Sequence, residues 1–385
     1  MKDWLKKFFG TKKNRIISIS VILILFLAIL CLIFFFLFFK SEKDQDPTQS
    51  LGETETQLVE AETEIVTESV DPHIGQAVSA LTGEWIEKEQ ARLRPVAIMT
   101  ENTSVCQPQF GISKADVYYE CPVEGGITRM LSIFQDYSGM KKIGNVRSCR
   151  TYYVYFAKEF DAIYMHAGQS HFAKDLVESS YIDNVNGITG KGGPYYYRDS
   201  GRKAPHNLYT SSKSIKEAIK NLGYRKKHTK DYKGHYQFAD EDQPEMLENG
   251  EDAKKISFYY SCNSPWFEYN EKDGLYYRFQ FGQPHIDGNN NEQIAVKNIL
   301  IQDCSWYLWE ASTGYLYLDY MKGGKGKYIT NGKCIDITWE RETEDGPTRY
   351  YDLDHNEIKL NVGKTFVEVC QDDYSSRNVI SATVK

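Results

Sequence analysis

RPVAIMTEN, residues 94–102, opens the folded body. Val96, Ala97, Ile98 and Met99 make a continuous apolar run, the pattern of a strand covered on both faces. Downstream, ADVYYECPVEGG (115–126) and the alternating MLSIFQDY (130–137) supply further strands. TYYVYFAKEF (151–160) places Tyr152, Phe156 and Phe160 on one face of a helix, and DAIYMHAG (161–168) is another strand. FAKDLVESS (172–180) reads as a short helix. A better one spans 212–222, where Ile215, Ala218, Ile219 and Leu222 recur at i, i+3, i+4 and i+7. Ser211 or Ser212 caps its start and Gly223 ends it. Strands and helices mix without strict alternation, so the fold class is α+β.

Residues 225–253 turn polar and lose periodicity, which places a boundary there. Beyond it the pattern is mostly β: KISFYYS (255–261), a hairpin over 267–281 around Asp273-Gly274, EQIAVKNILIQ (292–302), YLYLDYM (315–321), KYIT, KCIDITWE, TRYYDLDHNEIKL and TFVEVC. The expected organisation is a mixed α/β first domain over 92–240, a β-rich second domain over 254–371, and a loose tail over 372–385.

Upstream of the folded body, residues 16–39 (IISISVILILFLAILCLIFFFLFF) hold no charge. As a helix this run spans about 36 Å at about 1.5 Å per residue, enough to cross a hydrocarbon core of about 30 Å. It is too long for a cleaved signal sequence and no small-x-small site follows it closely. A lipid on Cys31 is disfavoured by its place in mid-run and by the bulk of Ile29 and Leu30. Residues 1–15 carry six Lys/Arg and one Asp, whereas 41–72 carry ten Asp/Glu and one Lys. The positive-inside rule then puts 1–15 in the cytoplasm as a basic tail and the body outside, as a single-pass membrane protein. Residues 40–91, rich in Glu, Thr, Gln and Ser, read as a flexible acidic stalk. The chain as a whole has net charge −7, and the body has no basic footprint for nucleic acid.

Seven cysteines lie beyond the membrane run: Cys106, Cys121, Cys149, Cys262, Cys304, Cys334 and Cys370. The count is odd and no Cys-x-x-Cys occurs, so apolar packing is the preferred reading over a disulfide framework or a zinc ribbon. No His-Glu-x-x-His, Walker A or Gly-x-Ser-x-Gly motif is present. No cofactor is expected and no metal-ligand set is assigned.

What remains is a cluster at strand ends and adjoining loops of the first domain: Asp116, Glu120, Glu124, Arg129, Arg147, Ser148, Arg150, His166, His206 and Asn207. Arg147 and Arg150, flanking Ser148, suit bidentate binding of a phosphate or carboxylate. Glu120 and Glu124 offer an acid/base pair. His166 closes an apolar strand, which would aim its ring at a cleft shared with His206 and Asn207. Glu120, Glu124, His166 and His206 are therefore the catalytic candidates. Arg147, Ser148, Arg150, His166, His206 and Asn207 are the ligand-binding candidates. The bland alternative pairs Arg147 with Glu120 inside the core and makes Glu124-Gly125-Gly126 a turn. In the second domain His285 and Asp287 read as a turn rather than metal ligands. The tyrosines Tyr276, Tyr277, Tyr307, Tyr315 and Tyr317 read as strand residues rather than a sugar-stacking surface.

From Arg94 onward the chain resembles a bacterial family, the YerB-like proteins, built from paired N- and C-terminal domains of unknown function (number 3048). RPVAIMTEN, GISKADVYYECPVEGGITR, KIGNVRSCR, EFDAIYMHAGQS, RKAPHNLYTS and QFGQPHIDG carry the resemblance. It implies an extracytoplasmic, membrane-tethered protein of Gram-positive-type bacteria and no particular reaction. The chain departs from the pattern at Asn145, where Pro is usual, at Cys149, where Ala is usual, and at Gln169, which replaces a Gly. A transmembrane anchor also stands where the family has a lipidated Cys. Two functions follow as expectations. The first is a cell-envelope protein that binds an anionic or glycan-like ligand, with a cell-wall glycan, a phosphate-containing molecule or an envelope protein as partner. The second is an envelope hydrolase or transferase using the Arg/Glu/His cluster.

Overall fold

The computed structural model describes residues 72–384. The expected cytoplasmic tail, membrane segment 16–39 and the stalk as far as residue 71 lie outside the described residues. Among the described residues no helix is long and apolar enough to cross a membrane.

The Val96–Asn102 strand is buried along its whole length, its apolar run 96–99 and its polar end Thr100, Glu101 and Asn102 alike. It sits within an eleven-stranded mixed sheet. The order across the sheet is Glu251–Asp252, Lys333–Glu340, Gly324–Thr330, Asn298–Cys304, Thr365–Gln371, Val117–Pro122, Thr128–Phe134, Val96–Asn102, Ile163–His166 and Asn184–Asn186, with Arg349–Tyr351 added on Lys333–Glu340. The first segment is thus mixed α/β and the second mostly β. They meet where Val117–Pro122 pairs in parallel with Thr365–Gln371, Val117 opposite Thr365 and Glu120 opposite Glu368. One sheet is therefore shared by both segments. A second sheet, built on Trp266–Asn270 and Leu275–Gln280, is linked through Asp273-Gly274.

One apolar core lies on the face carrying Ala97, Met99, Tyr119, Cys121 and Leu131, against the Thr151–Glu159 helix. The other lies on the face carrying Ile98, Tyr118 and Met130, against Ile256, Phe267 and Tyr276 of the second sheet. The helix is buried around most of its circumference, not on a single face. Its Tyr155 stacks on Tyr320 at 4.2 Å while Tyr153 donates to the Arg129 carbonyl at 2.6 Å. The Ser212–Asn221 helix follows its sequence signals: the Ser211 hydroxyl accepts from the Ser214 amide at 3.2 Å, and Ile215, Ala218 and Ile219 face inward. The helix expected over 172–180 is shorter, Lys174–Glu178, following a tight turn at His171–Ala173.

Two boundaries need correction. The stalk does not run to residue 91. Gln76–Val78 and Trp85–Glu87 form a hairpin, and Leu81 between them is 1% exposed in the first core. Gly83 takes φ +73 in that turn, where any side chain would run into Phe238. Composition concealed this because a single buried leucine is enough to anchor so short a hairpin. The C-terminal tail is not loose throughout either. Val379–Ser381 pairs antiparallel with Lys255–Ser257, satisfying backbone groups that would otherwise form an open edge.

Candidate functional site

Val96–Asn102, Val117–Pro122, Ile163–His166, Asn298–Cys304 and Thr365–Gln371 all point the same way. The loops after them gather at one end of the sheet, the usual place for a site in mixed sheets. At that end Glu101 lies opposite Arg129 in register. The loop carrying Arg147, Ser148 and Arg150 is hung there by backbone bonds: the Arg147 amide to the Met99 carbonyl at 2.9 Å and the Cys149 amide to the Gly168 carbonyl at 3.0 Å.

Three arginines share this end. Arg150 binds Glu124 through two nitrogens, Nε to Oε2 at 2.8 Å and Nη2 to Oε1. Arg129 reaches the same carboxylate at 3.2 Å and donates to the Ser148 carbonyl at 2.8 Å. Arg147 pairs through Nε with Glu101, and not with Glu120. Burial opposes the charge of Glu124, but its bonds to Arg150 and Arg129 prevail and hold its carboxyl below the usual range. Burial, and then the repulsion of Arg150, lowers the pKa of Arg129; Arg147 adds to that repulsion, so the three guanidiniums act as one electrostatic group. They face two carboxylates, Glu101 and Glu124, which leaves the cluster cationic. Beside it, the Trp306–Glu310 and Tyr315–Leu318 hairpin sets Tyr315 over the Arg150 guanidinium at 4.9 Å.

The other candidates divide. His206 belongs to this end: its Nδ1 lies 3.2 Å from Cys106 Sγ and 3.8 Å from Glu101 Oε2. His166 does not face a cleft. It is fully buried, Nδ1 at 2.9 Å from the Gly168 carbonyl and Nε2 at 3.0 Å from Asn184 Oδ1, and burial lowers its pKa. Asn207 is used up in its own loop, accepting from Arg198 Nη1 at 2.7 Å and donating to the Asp199 and Arg202 carbonyls. The Ser148 hydroxyl donates to the Ala167 carbonyl at 2.9 Å.

Glu120 is no acid/base partner of Glu124. It points to the opposite face, where it is fully buried, paired with Arg278, and accepts from Asn102 at 2.7 Å and Thr128 at 2.5 Å. Strand alternation accounts for this: Arg129 and Thr128 are neighbours in sequence and so face opposite ways. Asp116 sits at the other end of the sheet, accepting from the Gln135 amide at 2.7 Å, with burial raising its pKa to about 6. His285 and Asp287 are held by hydrogen bonds across the fold and not merely in a turn. His285 bridges Arg278 and Gln109 at 2.7 and 2.5 Å, and Asp287 accepts from the Gly111 and Ser113 amides. The catalytic candidates therefore do not converge on one point.

Sequence reading missed Glu101, Cys106 and Asn145. Glu101 looked like the polar end of a strand, and Cys106 like one of several apolar thiols. No local pattern marked either one.

Matches to known proteins agree with this architecture. Residues 81–225 match the family model described as the protein of unknown function (DUF3048) N-terminal domain, and 256–367 match its C-terminal domain. A relative from Bacillus subtilis (strain 168), "Putative lipoprotein YerB", is 32% identical over 271 residues, covering 68% of this chain and 77% of the relative. The chain belongs to the DUF3048 family. The crystal structure of the YerB protein from Bacillus subtilis superposes with a TM-score of 0.67 at 30% identity, covering 79% of this chain and 99% of that one. Both family segments feed the shared sheet, and the arginine-bearing loop belongs to the first.

Proposed function

We propose that this protein is a membrane-anchored binding protein of the bacterial cell envelope whose arginine cluster takes an anionic ligand. The observation that carries the reading is the surplus of charge: Arg129, Arg147 and Arg150 against only Glu101 and Glu124. Arg129 and Arg150 are fixed by Glu124, whereas Arg147 is engaged, among the described residues, through Nε alone and is a fifth exposed. Its Nη groups would supply the fork for phosphate or carboxylate oxygens. Tyr315 extends the surface next to that fork, as a sugar or polyol carrying the anion would need.

The test is binding of a soluble glycerol-phosphate oligomer, with a neutral glycan oligomer as comparison. The wild-type chain should bind the phosphate oligomer, more weakly as salt rises. Arg147→Ala should weaken it about 10–100-fold, the worth of one or two charge-assisted hydrogen bonds, and Arg147→Lys should not restore it. Equal affinity in wild type and Arg147→Ala would dispose of the reading.

The anchoring part of the proposal rests on the apolar run 16–39 with its basic flank and on the lipoprotein name of the relative. An external body should be digested when protease is added to intact protoplasts, leaving a short N-terminal remnant. Protection of the body until the cells are broken would place it on the other side.

A further inference from the structure

Glu101, Cys106 and His206 come from three separate stretches, and one donor atom from each lies within 4.8 Å of the other two. We propose that they form a binding site for a single divalent transition-metal ion of the zinc type. The sulfur and the His206 Nδ1 are 3.2 Å apart, and Nδ1 and Glu101 Oε2 are 3.8 Å apart. Bonds of about 2.0–2.3 Å to one tetrahedral zinc ion separate such donors by roughly 3.3–3.6 Å, so the metal fits with small side-chain adjustments.

A second observation points into the same space. Glu101 is 1% exposed, and neither carboxylate oxygen accepts a hydrogen bond. Arg147 gives Oε2 an ion pair and leaves Oε1 without a partner. The Asn145 Oδ1 is likewise buried and unpartnered, while its amide nitrogen donates to the His206 carbonyl at 2.8 Å. Native cores rarely leave such acceptors unmet. An ion held by the carboxylate, with a bound water donating to Asn145, would satisfy both.

The donor set selects the ion. A thiolate with an imidazole and a carboxylate suits zinc or cobalt and disfavours magnesium and calcium, which take oxygen ligands. Three protein ligands leave a fourth position open. Access is on the His206 side, whose side chain is 30% exposed. Binding replaces the thiol hydrogen: the sulfur–hydrogen bond breaks, a metal–thiolate bond forms, and the proton leaves to solvent. Thr103 already donates to that sulfur at 3.2 Å and would go on supporting the thiolate. The site does not depend on anion binding by the arginines, although Arg147 borders both.

The test uses the full chain in detergent, stripped with a chelator and titrated with cobalt(II), then zinc(II). Wild type should take up cobalt in equimolar amount, show a thiolate-to-cobalt charge-transfer absorption, and lose it when zinc displaces cobalt. Cys106→Ser should abolish that absorption. His206→Gln, at the more exposed ligand, should weaken cobalt binding more than about 100-fold, beyond the loss typical of an outer-shell change, with thermal unfolding unchanged. Cys262→Ser, which removes the exposed thiol, should change nothing. No equimolar uptake by wild type, or an absorption that depends on Cys262 instead of Cys106, overturns the site. Should Cys106→Ser fail to fold, His206→Gln decides alone, and unchanged affinity there overturns it as well.

Discussion

Replacing Arg278 by alanine should lower the stability of the folded unit by about 3–5 kcal/mol, the cost of stranding a buried charge. Arg278 and Glu120 are both fully buried, and their ion pair joins the second sheet to the central one. The guanidinium also donates to Gln280 at 2.9 Å and to His285 at 2.7 Å, and it lies near the rings of Phe267 and Phe366, at 5.8 and 5.2 Å. Its removal leaves the Glu120 carboxylate beside Glu368 with no counter-charge and leaves the His285 and Gln280 acceptors unmet. At roughly 2–4 °C per kcal/mol for a unit of this size, the melting temperature should fall by about 10 °C. Lys327→Ala is the control: its pair with Asp336 is 39% and 63% exposed, so less than about 1 kcal/mol should be lost. If both variants melt alike, the buried pair does not hold the two family segments together.

That ion pair also marks where sequence reading ran out. Local signals were legible: the apolar run of 96–99, the Ser211 cap and the Asp273-Gly274 hairpin each depend on neighbours a few residues apart. The parallel pairing of Val117–Pro122 with Thr365–Gln371 joins stretches some 250 residues apart, and no spacing rule reaches that far. The candidate site was half legible for the same reason. Arg147, Arg150 and Glu124 sit in loops at one end, and their types suggested ionic chemistry. Which carboxylate met which arginine depended on strand parity and register. One residue of offset puts Glu101 beside Arg147 and turns Asn102 toward Glu120. His166 was misread because a strand end looks like a cleft edge until Asn184 of the neighbouring strand covers it.

Register has one further consequence, at Glu368. It lies directly opposite Glu120, both carboxylates are fully buried, and among the described residues Arg278 is the cation paired with Glu120 there. Burial first, and then the charge of Glu120, pushes the Glu368 carboxyl well above its usual range, against the opposing pull of Arg278. Glu368 thus keeps its proton to higher pH than a free carboxyl does, and when protonated it can donate to Glu120, while Tyr260 donates to its Oε2 at 2.8 Å. In the unfolded chain the same group loses its proton near 4.5. Between that value and its folded pKa the native state holds one more proton, so stability falls as pH rises, by about 1.4 kcal/mol per pH unit. Asp116 and Asp303, each raised to about 6, add the same trend only at lower pH. The buried His166, His235 and His285, lowered from 6.5, act with the opposite sign, and only up to about that value. The Glu368 effect is therefore read as the difference between wild type and Glu368→Gln, in which these shared contributions cancel. Glu368→Gln keeps both hydrogen bonds, the amide donating to Glu120 and its oxygen accepting from Tyr260, but cannot titrate. Wild type should lose stability relative to this variant as pH rises above the range of a free carboxyl, by at most about 1.4 kcal/mol per pH unit, as read from urea midpoints at each pH. Parallel curves for the two proteins would mean that Glu368 is ionised in the folded state, and that Arg278 neutralises more charge there than this geometry allows.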